Sequence, residues 1–588
     1  MDDARRALRE HFGFEDFRPG QADAVAAALA GRDALVVMPT GAGKSLCYQL
    51  PALMRPDLTL VVSPLVSLMQ DQVEALERIA PGRAGLVNAQ QDAATNRAVL
   101  ERAGAGDVRL LYVAPERFAS PGFLEAVRDI EVGLFVVDEA HCVSQWGHDF
   151  RPDYFRLADA ARWLGARALL ASTATATPQV AADIAARLGL RDPVQVATGF
   201  DRPNLSFAVV PCRTAADKRR RLVSALADPA ARPAIVYAGT RADTERLAGE
   251  LGDELGIEVL AYHAGLGREA RAAAQRRFMA GEAEVVVATN AFGMGVDKAD
   301  VRTVAHASVP GSVEAFYQEA GRAGRDGLPA RALLFAESRD KGLHVFFIQR
   351  AEVDDRAIAQ VARRLLASGG GRYDAGVGEL GDDPERVRAI VGHLARAGVI
   401  QPAPSPVDRV RGRITGAFDG RAQAACRSSA GDAQRARWRQ YRSVWAFVEG
   451  SACRRTTILR HFGDRSQPAP RVPCCDVCAP ELVPAAPAAP ARARALGGNG
   501  GGGDLDAAIV EVVQAADPAV GRTRAVEILR GGRSKVVQKY AYDGLPAYGS
   551  FAHLTSGEVL GRVDELMAAG RLVSTGGRFP KLELSEAA

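Results

Sequence analysis

Hydrophobic residues recur along this chain in short saturated runs separated by longer stretches of helical period. Ala34–Val37, Leu58–Ser63, Val108–Val113 and Gly133–Val137 are runs of the first kind, and Leu169 and Leu170 open another. Runs of this length without polar alternation predict strands covered on both faces. Between them, Ala22–Ala30 reads as an Ala-rich helix, and Pro64–Ile79 spaces Leu65, Leu68, Val73 and Leu76 helically. Strands alternating with helices predict a parallel doubly wound sheet, in which ligands sit at the carboxyl ends of strands. The pattern starts again near residue 206. Ala234–Tyr237, Val259–Tyr262, Val285–Ala288 and Val304–Ala307 read as strands, with Ala242–Leu251 and Glu269–Met279 as helices between them. The expected fold class is α/β, with two tandem parallel-sheet lobes.

Beyond residue 345 the pattern changes. Ala357–Ser368 and Glu385–Ala397 have helical period, and Val399–Ala403 and Val410–Ala417 read as strands around a turn at Pro404–Asp408, which together make a winged-helix pattern. Residues 479–504 are rich in Pro and Ala and then in Gly, as in an extended and then flexible linker. After it, Ser556 is placed to cap a helix reaching Ala569, and RLVSTGGRFPKLEL reads as a short β-hairpin turning at Gly576 and Gly577, beside Arg578 and Phe579.

Composition narrows the class. A chain of 588 residues accommodates about three to five domains. With 47% apolar and 24% charged residues it has the balance of a globular protein. No apolar run approaches the roughly 20 residues of a membrane span, and MDDARRALREHFGF lacks the basic-then-apolar order of a secretory signal, so no membrane partner and a cytoplasmic location are expected. A net charge of +4 is too small to announce a nucleic-acid partner. Nine Arg lie between Arg409 and Arg442 with Trp438 and Tyr441 interleaved, a stripe that suits phosphate contact and a solvated helix face equally well.

Three stretches carry chemistry. In MPTGAGKS, Gly41 and Gly43 free backbone amides to face phosphate oxygens, Lys44 supplies a charge and the Ser45 hydroxyl suits Mg²⁺; Met38 stands where the strict pattern has Gly. The aromatic turn before it ends in Gln21, whose carboxamide matches adenine's edge as well as a helix start. In DEAH, Asp138 is placed at a strand end to hold Mg²⁺ through water, Glu139 to orient or deprotonate the attacking water, and His141 to report on bound nucleic acid. In QEAGRAGRDG, Gln318, Arg322 and Arg325 are spaced to reach a γ-phosphate across a cleft, although an Arg-rich chain also carries such residues on its surface.

Taken in order, FGFEDFRPGQ, MPTGAGKS, SPLVSLMQDQ, APER, DEAHCVSQWGHDFRPDY, STAT, YHAGL, ATNAFGMGVDK and YQEAGRAGRDG resemble the RecQ family of superfamily 2 DNA helicases, over roughly residues 8 to 340. The resemblance implies two RecA-like lobes, residues 1–205 and 206–345, that bind ATP and Mg²⁺. Gln21 would read adenine, Phe14 and Arg18 would flank its ring, and the loop Thr40, Gly41, Gly43, Lys44 and Ser45 would hold the phosphates. Trp146, Phe150 and Arg151 would couple DNA to hydrolysis, and Gln318, Arg322 and Arg325 would be catalytic.

The resemblance extends to a helical zinc-binding region, residues 426–478. Cys453, Cys475 and Cys478 suit structural Zn²⁺, and Cys474, adjacent to Cys475 where the family usually has a Cys a few residues earlier, is the fourth candidate. Residues 346–425 would be a winged-helix-like insertion, 479–504 a linker and 505–588 a C-terminal winged helix. The expected activity is 3′ to 5′ translocation on single-stranded DNA with unwinding of forked or duplex DNA in recombination and repair. The expected form is a monomer, with a single-strand-binding protein or recombination factors as candidate partners. A DNA-stimulated ATPase that remodels nucleic acid without unwinding is the alternative, and a non-catalytic DNA-binding scaffold a more distant one.

Overall fold

The computed structural model describes all residues except 65, 89–90, 145–153, 155, 293–297, 368–369, 404, 406–407, 486–504, 533, 576–579 and 586–588. Trp146, Phe150, Arg151 and the wing turn at residues 576–579 therefore lie outside the described residues, as does most of the linker.

The first lobe is a seven-stranded sheet: β1 (Ala34–Val37), β2 (Leu58–Val62), β3 (Ala84–Val87), β4 (Leu110–Val113), β5 (Val132–Val137), β6 (Ala168–Thr173) and β7 (Val194–Ala197). Its order is β3-β4-β2-β5-β6-β1-β7, and the paired strands run parallel. Strands β1, β2, β4, β5 and β6 are buried along their whole length, which is why their sequences are apolar without alternation. The second lobe contains β8 (Leu205–Cys212), β9 (Ala234–Tyr237), β10 (Val259–Tyr262), β11 (Val285–Ala288), β12 (Thr303–His306) and β13 (Ala330–Glu337), ordered β10-β11-β9-β12-β13-β8 and again parallel. In both sheets the order reverses at a central strand, which opens a crevice at the carboxyl ends.

The chain after the second lobe folds back onto both lobes. Residues 355–414 form a helix, β14 (Arg372–Gly376), two helices, β15 (Ile400–Ala403) and β16 (Arg409–Ile414), with the antiparallel order β14-β16-β15. That is a winged-helix arrangement, with β14 added to the two strands expected from sequence. A 30-residue helix, Gly420–Glu449, then runs through position 425, so the insertion and the zinc region share one continuous element. The core of the two lobes continues into Val444, Trp445, Phe447, Ile458 and Phe462.

The zinc region is joined to the segment that connects the lobes. Phe207 on edge strand β8 exchanges backbone hydrogen bonds with Cys474 O (3.2 Å) and Asp476 N (3.1 Å). Phe462 stacks on Phe200 at 4.3 Å and 8°, and Asp464 accepts from Phe200 N at 2.9 Å. Arg455, 1% exposed, reaches Asp201 at 2.5 Å and donates to the carbonyls of Arg202 and Leu205.

Residues 505–585 have a core of their own. Leu505–Ala515, Arg522–Leu529 and Ser556–Ala568 enclose Ile509, Val512, Ile528, Leu529, Val559 and Val563, and β17 (Leu572–Ser574) pairs antiparallel with β18 (Leu582–Leu584). The helix cap is Thr555, one residue before the Ser556 expected from sequence: its hydroxyl accepts from Glu558 N while the Glu558 carboxylate accepts from Thr555 N.

Because Arg455 holds a buried charge pair and two carbonyls, Arg455→Met leaves Asp201 without its cation. The expected loss is about 3–5 kcal/mol, read as a lowered urea midpoint; a change under about 1 kcal/mol would show that the pair carries no weight.

Candidate active site between the two lobes

The phosphate loop leaves β1 at Met38 and enters the helix Leu46–Met54 after Ser45. Gly41 and Gly43 have φ of +85° and +81°, and a Cβ on Gly43 would lie 2.6 Å from Gln21 Nε2, so both backbone and space require glycine there. Met38 needs neither: it is fully buried at the strand end, its amide bonded to Thr173 O at 3.1 Å and its carbonyl accepting from Lys44 Nζ at 3.2 Å. The departure from the strict pattern is therefore a core packing position.

Gln21 and Arg18 brace this loop. Gln21 Nε2 donates to Ala42 O (3.1 Å) and Gly43 O (3.0 Å), its Oε1 accepts from Arg18 N (2.9 Å), and an Arg18 guanidinium nitrogen donates to Gly41 O (2.8 Å). Phe14 stands at the rim, half exposed.

Asp138 and Glu139 follow β5. Glu139 adopts the left-handed region (φ 47°, ψ 46°), a conformation that costs a non-glycine residue of order 1–3 kcal/mol and turns its carboxylate out of the strand direction. It lies 3.3 Å from His141 Nδ1, which also meets Thr173 Oγ1 at 3.0 Å, so the buried His141 ties DEAH to STAT. Burial, together with the charge of Glu139, pushes the Asp138 carboxyl up to about 7, against the pull of Lys44. Burial also holds Lys44 below its usual range, with Glu139 and Asp138 opposing and Arg325 reinforcing that shift. A site whose buried carboxylates are this crowded suits a divalent cation held with Ser45.

The second lobe supplies the opposite wall. Gln318 is on the helix Val313–Ala320, which continues into the Gly-rich turn. Arg322 is buried and hydrogen-bonds the Tyr237 side chain. Arg325 faces the first lobe: a Cβ on Gly41 would lie 3.6 Å from its Cγ. Lys44, Asp138, Glu139 and Arg325 thus meet in one cleft, while Arg322 is set back against β9.

A residue not anticipated from sequence joins the walls. Arg202, in the connection between the lobes, donates to Thr40 O (3.2 Å) in the phosphate loop and to Gly321 O (3.0 Å), Ala323 O (2.9 Å) and Gly324 O (3.2 Å) across the cleft. A Cβ on Gly321 would sit 3.4 Å from Thr40 Cβ, so glycine lets the two backbones approach.

The cysteines form a second centre. Cys453 caps the helix Arg454–His461, and its sulfur lies 3.6 Å from that of Cys474 and 3.8 Å from that of Cys475; Cys475 and Cys478 are 3.5 Å apart. All four sulfurs lie within 4.8 Å of one another. A tetrahedron of Zn–S bonds of about 2.3 Å has edges of about 3.8 Å, so the set fits zinc, with Cys474 included.

Comparison with known proteins agrees with this geometry. The chain matches the DEAD/DEAH box helicase family over residues 18–184, the helicase conserved C-terminal domain over 217–327, RecQ zinc-binding over 407–479 and the RQC domain over 504–588. It is 40% identical over 365 residues to the probable ATP-dependent DNA helicase RecS of Bacillus subtilis, covering 62% of this chain and 73% of that one. The chain belongs to the RecQ family of superfamily 2 DNA helicases. The ATP-dependent DNA helicases RecQ of Pasteurella multocida and Haemophilus influenzae are each 42% identical, over 62% and 61% of this chain, and the chain spans 56% and 57% of their lengths. The RecQ zinc-binding match includes all four cysteines. Among solved structures, the DUF1998 helicase MrfA bound to DNA aligns with a TM-score of 0.50 at 20% identity, over 72% of this chain and 64% of that one, a likeness of fold.

If Cys474 completes the RecQ zinc centre, purified protein carries one zinc per chain, and Cys474→Ala loses most of it to a mild chelator and melts at a lower temperature. Full zinc retention by the variant, measured by atomic absorption, would exclude Cys474 as a ligand.

Proposed function

We propose that this RecQ-family chain hydrolyses Mg-ATP in the cleft between its lobes and uses the cycle to move 3′ to 5′ along one DNA strand, separating forked or duplex DNA. The observation that carries the proposal is the meeting of Lys44, Asp138 and Glu139 with Arg325 in one cleft. Backbone amides of the loop through Thr40, Gly41 and Gly43, with Lys44, would receive the β- and γ-phosphates. Mg²⁺, held by Ser45 and Asp138, would neutralise developing charge on the transferring phosphoryl group. Glu139, turned out of the strand by its left-handed backbone, would orient the water. Arg325 would stabilise charge across the cleft, and Arg322 and Gln318 would position the Gly-rich turn behind it.

Phe14, Arg18 and Gln21 would face the adenine. For Gln21 this role requires its amide to exchange loop carbonyls for the base edge, so nucleotide binding and loop shape are coupled through one side chain. Trp146, Phe150 and Arg151 would sense the strand, and His141 would pass that signal towards Thr173. No helix among the described residues is long and apolar enough to cross a membrane. A monomer in the cytoplasm, at the nucleoid, working beside a single-strand-binding protein or recombination factors completes the reading.

Lys44→Ala is expected to abolish ATP hydrolysis while sparing single-strand binding, and intact protein to open a 3′-tailed fork with ATP. Retained turnover in the variant would overturn the site. ATP hydrolysis by the intact protein with DNA but without opening of any 3′-tailed duplex would overturn the unwinding.

A further inference from the structure

A cavity of about 720 Å³ lies at the carboxyl ends of β9, β11 and β12, on the other side of the helix Val313–Ala320 from the ATP cleft. Its floor is the second lobe, including Gly239–Arg241, Thr289 and Asn290; its roof is the long helix Gly420–Glu449, through Arg437, Gln440 and Tyr441. Gln440 also borders a second cavity of about 580 Å³, lined by Thr177–Val180 of the first lobe and by Arg439, Arg442 and Ser443 of the same helix. The long helix thus covers open space against both lobes. Nothing in the nucleotide chemistry uses this space.

Its lining has the character of a strand-binding groove. Three carboxylates border it, and each has a cation beside it: Glu319 meets His306 at 2.9 Å, Glu314 meets His461 at 2.8 Å, and Glu385 sits near Arg437. Arg241 and Arg442 add positive charge beyond these pairs. Phe347, 45% exposed, stands at the wall with Phe346, 54% exposed, at its edge, and Tyr441 lies on the roof. Exposed aromatic faces interleaved with arginine are what successive bases and phosphates of a single strand require. The groove also shares a wall with the active site. Tyr237 lines it and is hydrogen-bonded to Arg322, and Glu319 lines it one residue after Gln318.

We propose that the long helix Gly420–Glu449, which joins the winged insertion to the zinc region, roofs a groove for the tracked single strand of DNA. Phe347 and Tyr441 are its stacking faces, and Arg241 and Arg442 its phosphate contacts. The proposal rests on the strand-tracking function above and adds to it a wall outside the two lobes. The basic stripe between Arg409 and Arg442 then has a defined task for its last turns, and a strand in the groove abuts the side chain that holds Arg322.

The test is equilibrium binding of a fluorescein-labelled oligothymidylate of about 16 nucleotides, followed by anisotropy across a salt series, with the full chain. Phe347→Ala is expected to weaken binding about five- to a hundredfold, and Phe347→Trp to restore it. Arg442→Ala is expected to reduce the slope of log affinity against log salt by about 0.7, and Arg442→Lys to keep it. Thermal midpoints matching the intact protein show that the variants are folded. Wild-type affinity and slope in both alanine variants, beside an intact protein that binds, would overturn the groove alone; an intact protein that binds no single strand would overturn the strand-tracking function and the groove with it.

Discussion

The guanidinium of Arg202 is the contact on which the two-lobed architecture turns. One side chain in the connection between the lobes donates to a carbonyl of the phosphate loop and to three carbonyls of the Gly-rich turn that carries Arg322 and Arg325. A guanidinium has donors enough, in a fixed planar fork, to hold several acceptors at once, which an ammonium group cannot do in the same geometry. Burial disfavours its charged form, and so does the nearby Arg325. Its partners are backbone carbonyls, whose dipoles offset part of that cost without fixing the charge of the cleft. A nucleotide entering the cleft therefore meets a loop and a turn already in register, and any movement of one lobe against the other must stretch these bonds.

The zinc region gives that clasp a fixed base. It extends the edge of the second sheet at Phe207, stacks Phe462 on Phe200, and buries Arg455 among the carbonyls of the connecting segment. A cluster of cysteines far along the chain thereby stiffens the residues immediately before and after Arg202. Structural zinc contributes to folding directly. Here the folded element it supports lies against the hinge of the motor, so metal binding and the geometry of the ATP cleft share one set of contacts.

Much of this was legible in the sequence because it is local. Saturated apolar runs located β1, β9, β10 and β11 to the residue, since a strand buried on both faces leaves no polar position to blur its ends. Strands β3 and β7 escaped notice: each is four residues long, β3 contains a Gly, and β7 is a half-exposed edge. The phosphate loop, the DEAH carboxylates and the cysteines announced themselves because their chemistry demands particular residues at particular spacing. Arg202 did not. It is one arginine among many, and its partners lie 119 to 162 residues away and are carbonyls, which carry no sequence signal. The bracing of the loop by Gln21, the packing reason for Met38 and the continuity of the 30-residue helix across the insertion boundary are likewise tertiary facts.

The central claim is that the ATP site is composite, with Arg325 of the second lobe completing chemistry begun at Lys44. Single-turnover hydrolysis by Arg325→Ala, set beside its equilibrium affinity for a non-hydrolysable ATP analogue, tests this most directly. An arginine acting on the transition state is worth about 10³–10⁵ in rate, so the account predicts a fall in the chemical step of about that size with nucleotide affinity nearly unchanged. Undiminished single-turnover hydrolysis would contradict it, and so would a loss confined to nucleotide binding.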